Sequence, residues 1–167
     1  MPILKRADAE IHYEIHGAGF PILLYAPGGL KSEASMWGGS SPAYPNGFPW
    51  MDPRKALSDK YTVIAMDQRN AGRSVADVKP DHGWHTFAAD HLALMDHLGF
   101  KKFHVMGGCA PLYLQPGTDK PHPAHTSAEI AELAPNIEVQ KDWRGPEFLQ
   151  ESIRRVHTFL ARNTPKS

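Results

Sequence analysis

The chain has 167 residues with 18 basic and 18 acidic side chains, so its formal net charge at neutral pH is zero. That length suits one ordinary domain, and the balanced charge gives no electrostatic reason to expect nucleic acid or a membrane as a partner. A single cysteine excludes an internal disulfide, and the lack of a signal peptide or a membrane-spanning run predicts a cytoplasmic protein.

The first part of the chain predicts a hairpin followed by two buried strands. Residues Ala9–His16 alternate in character, which is typical of a half-exposed strand, here the second arm of an N-terminal hairpin. The apolar runs 21–25 and 61–66 predict buried strands. The first of them ends in the tight loop 26–29, and a short helix is predicted over 53–58.

The central part predicts one helix and a third buried strand. Over residues 86–98 apolar side chains recur at helical spacing, and Gly99 follows as a C-terminal stop. The run 103–106 predicts the strand, which leads directly into Gly107, Gly108 and Cys109.

The last part predicts shorter elements. Residues 112–114 and 137–139 favour strands, and Thr126 with Glu129 forms a capping box for a helix that ends near residue 133. Apolar residues 149, 153, 156 and 160 mark one face of a C-terminal helix. The alternation of strands and helices predicts an α/β protein with a mainly parallel sheet flanked by helices.

Cys109 follows the third buried strand within the sequence Gly-Gly-Cys-Ala. A nucleophile on a strained turn after a strand needs small neighbours, which this sequence supplies. Taken alone, a buried and inert cysteine is the simpler interpretation, because free cysteine often packs as a small apolar residue.

Taken together, the order of the motifs resembles the α/β-hydrolase family over nearly the whole chain. Residues 26–30 are similar to that family's oxyanion loop. Residues 67–74 are similar to its Asp-x-Arg-Gly-x-Gly-x-Ser turn, with Asn70 in place of the first glycine. Cys109 stands at the position of the nucleophile, a serine in most members and a cysteine in some, and residues 116–119 resemble the strand end that carries the acid.

The resemblance implies an acyl-transfer mechanism on a small-molecule carboxylic ester, thioester or lactone. Cys109 would attack the acyl carbon, a histidine would take up its proton, and Asp119 would orient that histidine. The backbone N–H groups of Ala110 and of Gly29 or Leu30 would hold the oxyanion.

The catalytic histidine departs from the family pattern. In the family it follows the last strand, but residues 140–145 contain no histidine here, and none occurs between His125 and His157. His122 is therefore assigned as the base, with His125 as the alternative, because both lie near Asp119 in the sequence. A solvated loop histidine is the simpler interpretation of either one.

A missing segment is the second departure. On the order of a hundred residues of the usual domain are absent after residue 110. This predicts an incomplete α/β-hydrolase fold without its cap, in which residues 1–110 form the N-terminal half of one core and residues 111–167 its C-terminal portion.

The strands on either side of this junction cannot be parallel neighbours. Only five residues separate Met106 from Leu112, whereas a parallel crossover needs a dozen or more. The later strand is expected to turn back as a hairpin arm, to pair with another chain in a swapped dimer, or to pack loosely beside an exposed sheet edge.

Other candidate features have structural interpretations. No zinc-binding pattern or phosphate loop occurs, so neither a metal nor a cofactor is predicted. Asp67 and Arg69 are expected to tie loops together rather than to catalyse. Trp37, Trp50 and Trp84 are expected in the core.

Three hypotheses about function follow from the sequence. The leading one is a hydrolase of esters, thioesters or lactones with weak activity. The alternative is a catalytically inactive relic or interaction protein, with a homodimer as one form. In the third, the segment is missing only from this copy of the sequence, through an alternative transcript or an engineered deletion.

Overall fold

A computed structural model of the protein describes residues 2–38, 51–107, 113–114, 128, 132, 138–143 and 145–165. The chain divides into two structural units. The first comprises residues 1–48 and 52–108, and the second comprises residues 49–51 and 109–167.

The first unit is built on a six-stranded sheet. Its strands are β1 (Ile3–Lys5), β2 (Ala9–His16), β3 (Phe20–Tyr25), β4 (Tyr61–Met66), β5 (Val75–Ala76) and β6 (His104–Gly107). The order is β1-β2-β4-β3-β6, with β5 also paired to β2. Strand β2 is antiparallel to β1, β4 and β5, whereas β3 is parallel to β4 and β6. The predicted N-terminal hairpin, parallel strands and α/β class are confirmed.

Among its described residues this unit has two α-helices, α1 (Pro53–Ala56) and α2 (Trp84–His97). Asp52 caps α1 by accepting a hydrogen bond from the Arg54 N–H, and Pro53 occupies the first helical position. Gly99, with φ of 78°, ends α2 as predicted. Its N–H donates to Asp96 and the following N–H, of Phe100, donates to Met95, which is the Schellman arrangement.

The core of the first unit lies between the sheet and α2. Successive residues of a strand point to opposite faces, and one face presents buried side chains to the helix. The cluster includes Ile11, Tyr13, Leu23, Ile64, Met66, Leu94 and Met95. Helix α2 therefore covers the middle strands of the sheet.

Two burial predictions are wrong. The third predicted strand is not buried, because Val105 in β6 is 59% exposed. In the register Val105 pairs with Leu23 and shares its face, but it lies one strand farther out than the part of the sheet that α2 covers. Trp84, at the first turn of α2, is 70% exposed and not in the core. Trp37 is buried as predicted, and Trp50 lies outside the described residues.

The second unit contains β7 (Tyr113–Leu114), β8 (Glu138–Val139) and α3 (Leu149–Asn163). Strands β7 and β8 pair in parallel as a separate two-stranded sheet, so the prediction that β7 cannot be a parallel neighbour of β6 agrees with the described structure. Its pairing with β8 of the same chain was not among the expected outcomes. The predicted face of α3 includes buried Val156 and Leu160.

Part of the second unit lies outside the described residues. This applies to the predicted capping pair Thr126 and Glu129, although Ala128 and Glu132 have helical backbone. Within the described part of the chain, no helix has the length and hydropathy required to cross a membrane.

Candidate active site

The predicted site residues divide into two groups. Gly29 and Leu30 belong to the described structure, in the loop that follows β3. Cys109, Ala110, Asp119 and His122, together with the alternative His125, lie outside the described residues. The geometry available is therefore that of the loop and of the turn beside it.

Glycine backbone conformations shape the loop after β3. Gly28 and Gly29 have φ of 116° and 57°, in the region that glycine adopts at little cost. A Cβ atom at Gly28 would lie 2.6 Å from the Met36 sulfur, whereas one at Gly29 would meet nothing within 4 Å. The left-handed φ is what favours glycine at position 28, because the nearby Met36 side chain is flexible and can shift, and Gly29 faces open space.

Hydrogen bonds close this loop on itself. The Ser32 hydroxyl donates to the Ala26 carbonyl at 2.6 Å, and the Ser32 N–H donates to the Gly29 carbonyl at 3.1 Å. The Lys31 N–H donates to the Gly28 carbonyl at 3.1 Å. These bonds define the short 3-10 turn over Gly29–Lys31.

Gln68, in the turn after β4, bonds to the loop at two points. Its backbone N–H donates to the Ser32 carbonyl at 3.0 Å, and its side-chain Nε2 donates to the Gly29 carbonyl at 3.2 Å. Gln68 is 6% exposed, so this amide is held inside the protein.

Two N–H groups of the loop have no partner in the part of the chain that the structure describes. No hydrogen bond from the N–H of Gly29 or of Leu30 is found within the described residues. Both residues are exposed. Backbone N–H groups of this kind can stabilise negative charge on a reacting oxygen, and the oxyanion role of Gly29 and Leu30 stays a prediction.

Asp67 holds the turn that carries Gln68. Its carboxylate accepts hydrogen bonds from the N–H of Ala34 at 2.9 Å and from the N–H and Nε of Arg73 at 3.0 and 2.7 Å. Burial by itself raises the pKa of Asp67, but the bonds from Arg73 and Ala34 outweigh it and hold this pKa below the usual 3.8. Asp67 is therefore ionised and structural at neutral pH.

Arg69 ties a second set of segments together. Its guanidinium makes two bonds to buried Asp90 of α2, at 2.6 and 2.9 Å, and a third to Asp8 at 3.2 Å. The hydrogen bond to Asp90 is the main cause that raises the pKa of Arg69 above its usual value. The prediction that Asp67 and Arg69 tie loops together is confirmed.

Asn70 stands in place of the first glycine of the turn motif and adopts a backbone conformation that favours glycine. It has φ of 59°, a left-handed conformation that asparagine tolerates better than most residues. Its Oδ1 accepts a hydrogen bond from the Ala76 N–H at 2.8 Å, which joins the turn to β5.

His91 of α2 has a structural environment. Its ring stacks on Tyr25 with centroids 3.9 Å apart, and its Nδ1 donates to the Phe87 carbonyl at 2.7 Å. Burial is the main cause that lowers the pKa of His91, so its ring is neutral at pH 7. In the described part of the chain no group of three side chains could hold a metal ion.

Comparison with known proteins agrees with this architecture. The family model described as alpha/beta hydrolase fold matches residues 21–110, more than half of the chain. A crystal structure of a protein from Nostoc sp PCC 7120 assigned to the alpha/beta hydrolases matches with a TM-score of 0.50 at 24% identity, over 64% of this chain and 33% of that one. This likeness supports the fold alone.

The names of the curated relatives refer to several different activities. The chain is 36% identical over 107 residues to RutD of Azorhizobium caulinodans, to which carbamate hydrolysis is ascribed, covering 64% of this chain and 34% of RutD. It is 40% identical over 81 residues to a fluoroacetate dehalogenase of Burkholderia sp, covering 42% of this chain and 27% of that enzyme. It is 32% identical over 100 residues to a soluble epoxide hydrolase of Corynebacterium sp., covering 59% of this chain and 29% of that enzyme.

The sheet order, the glycine loop after β3 and the turn after β4 define an α/β protein of the hydrolase type. The chain belongs to the α/β-hydrolase fold family. It spans about a third of the length of the curated relatives it matches.

Sequence reasoning missed the role of two residues at this site. Gln68 lies inside the motif that carried the resemblance, but nothing in the motif indicated that its side chain bonds to Gly29. Ser32 closes the loop through Ala26. The only available signal was a serine shortly after two glycines, a pattern typical of many turns.

Proposed function

We propose that the protein hydrolyses a small-molecule carboxylic ester, thioester or lactone, with Cys109 as the nucleophile and with slow turnover. The observation that carries the proposal is the pairing of β3 with β6. The strands are parallel neighbours, with Tyr25 opposite Gly107. Because parallel strands end at the same edge of a sheet, the glycine loop and the segment leading to Cys109 begin side by side.

The chemistry proceeds in two acyl-transfer steps. The Cys109 thiolate forms a C–S bond to the acyl carbon while the carbonyl π electrons move to the oxygen, where the N–H groups of Gly29 or Leu30 and of Ala110 stabilise the charge. The electron pair returns, the C–O or C–S bond to the leaving group breaks, and the thiol proton passes to the leaving group. Water then attacks the thioester, which releases the acid and restores the thiol.

Slow turnover follows from the assignment of the base. The residues after β8 contain no histidine before His157, which leaves His122 or His125, oriented by Asp119, to move the proton. General-base assistance contributes about 10²–10⁴-fold to such reactions when it is well placed. We therefore propose acylation without efficient deacylation.

The relatives support an acyl substrate in one respect. Carbamate hydrolysis, ascribed to RutD, is cleavage at a carbonyl carbon. The dehalogenase and the epoxide hydrolase act on other bonds, so the names do not identify one substrate. The proposal includes no cofactor, metal, nucleic acid or membrane.

The test is stopped-flow measurement of nitrophenol release from a p-nitrophenyl ester. We expect a burst close to one equivalent followed by a slow steady state. Cys109→Ala and Cys109→Ser are expected to abolish the burst, while Leu92→Ala, which alters an exposed side chain of α2, keeps it. Undiminished turnover in Cys109→Ala would remove Cys109 from the mechanism.

A second candidate function is a catalytically inactive interaction protein, with a homodimer as its form. The absence of any histidine between residues 126 and 156 favours it. It predicts no burst from the parent chain and twice the chain mass in analytical ultracentrifugation. A burst from a monomer would contradict it.

A further inference from the structure

We propose that Gln68 is a positioning residue that fixes the direction of the Leu30 N–H for oxyanion binding. The inference rests on the proposed function, because it concerns how the same loop meets the reacting oxygen. Its basis is the hydrogen bond from Gln68 Nε2 to the Gly29 carbonyl at 3.2 Å.

One peptide unit links this carbonyl to the N–H in question. The carbonyl of Gly29 and the N–H of Leu30 belong to the same planar trans peptide, so they point in opposite directions. The described chain contains no cis peptide bond. A donor that holds the Gly29 carbonyl therefore also sets the direction of the Leu30 N–H.

Two donors hold that carbonyl from the protein side. Besides Gln68, the Ser32 N–H donates to it at 3.1 Å. The Leu30 N–H points away from both donors and has no hydrogen bond among the described residues. The arrangement directs this N–H to the exposed side of the loop, where Leu30 is 65% exposed.

The loop needs an external donor because its backbone is permissive. Gly28 and Gly29 have no Cβ, and Gly29 has open space around it, so the peptide after Gly29 could rotate at low cost. A rotated peptide would present its carbonyl oxygen to a negative charge instead of its N–H.

Gln68 can hold the peptide because its own position is rigid. The preceding Asp67 N–H donates to the His12 carbonyl of β2 at 3.0 Å, and the Ala71 N–H donates to the Gln68 carbonyl at 2.9 Å. The side chain therefore extends from a turn fixed to the sheet. Donors arranged before the reaction begins are the ones that stabilise a developing charge most effectively.

The test uses a trifluoromethyl ketone as the probe, with the full chain and two variants. The Cys109 thiolate adds to the ketone carbon, the carbonyl π electrons move to the oxygen, and the thiol proton goes to solvent. The product is a tetrahedral alkoxide whose dissociation constant is measured by fluorine NMR. Gln68→Leu removes the donor, and Gln68→Glu keeps the shape but cannot donate when it is ionised.

We expect both variants to weaken the adduct by about fivefold at neutral pH, the effect of one lost hydrogen bond. Protonation restores a donor to the Gln68→Glu side chain, and burial favours that protonated form. Measured relative to the parent at each pH, the affinity of Gln68→Glu for the ketone therefore recovers as the pH becomes acidic. The affinity of Gln68→Leu does not recover. Alkylation of Cys109 by iodoacetamide, which forms no oxyanion, is expected to proceed at the parental rate in both.

Separate outcomes overturn the two proposals. An adduct in the parent chain that is equally tight in both variants overturns the role of Gln68 and leaves the nucleophile intact. If the affinity of Gln68→Glu for the ketone is reduced and does not recover on acidification, Gln68 has a merely structural role, and the positioning role is overturned. A parent chain that forms no adduct overturns the nucleophile, and with it the positioning role.

Discussion

Two segments of the first unit donate hydrogen bonds to one carboxylate, that of Asp67. The backbone of Ala34 comes from the segment after β3, and Arg73 comes from the turn after β4, in which Asp67 directly follows the last strand residue. Arg73 continues the network to Glu14 of β2. The ionised form of Asp67 is thus favoured by the fold, which makes stability depend on pH.

Replacing Asp67 by asparagine tests this dependence. The pKa of Asp67 in the folded state lies below the usual 3.8. The contribution of its ionised carboxylate to stability is therefore complete above pH 3.8 and is lost as the pH falls through the folded-state pKa. We expect Asp67→Asn to lower the free energy of unfolding by about 1–3 kcal/mol at pH 7. In urea titrations the difference in unfolding free energy between parent and variant should become smaller at acidic pH. A difference that does not change with pH would contradict the stabilising role of ionised Asp67.

Asn70 allows a matched pair of substitutions. Asn70→Ala keeps a Cβ at φ of 59° and removes the acceptor for the Ala76 N–H, whereas Asn70→Gly removes both the acceptor and the Cβ. We expect the alanine variant to lose about 1–2 kcal/mol of unfolding free energy, because it loses this hydrogen bond and keeps a left-handed backbone that asparagine tolerates better than alanine. The glycine variant should stay close to the parent. Equal losses in chemical denaturation would show that the backbone conformation is not the cause.

At the scale of elements, α2 carries the packing of the first unit. Leu94 is fully buried against the sheet, while Leu92, two residues earlier, is 56% exposed. We expect Leu94→Ala to lower the unfolding free energy by about 2–5 kcal/mol. Leu92→Ala serves as the control and should change it by less than about 0.5 kcal/mol. Similar losses from both in urea titrations would contradict the packing described here.

The elements that the sequence predicted correctly are those whose pattern is local. Ala9–His16 and Tyr61–Met66 were predicted with the observed bounds, because alternation and apolar runs are determined within the strand itself. The burial of β6 was predicted wrongly. Its apolar run resembles that of β4, but burial depends on what covers the strand. Val105 is not covered by α2 and is exposed.

The site was only partly predictable for the same reason. The glycine loop and the acidic turn could be located from their motifs. The bond between Gln68 and Gly29 joins residues 39 positions apart in sequence, so it requires the pairing of β3 with β4 before it can be seen. Similarly, Asn70 was noted as a departure from the motif, but its bond to Ala76 depends on how the turn closes.

At the scale of the whole molecule, residues 21–110 match the α/β-hydrolase fold family, and the chain spans about a third of the length of its relatives. The six-stranded sheet and the two-stranded sheet belong to different structural units. The function proposed for the chain requires that the loop after β3 and Cys109 act on one substrate. The central claim is therefore that the substrate's acyl group becomes covalently bound to Cys109 during the reaction.

Intact-mass spectrometry of the full chain after brief exposure to a p-nitrophenyl ester tests this claim most directly. We expect a gain of one acyl group, mapped by proteolysis to Cys109, that is lost slowly on further incubation. The same exposure of Cys109→Ala should leave the mass unchanged, and an unfolded parent chain controls for nonspecific acylation. A parent chain that hydrolyses the ester with its acyl group on another residue, or that acquires none at all, would contradict the account.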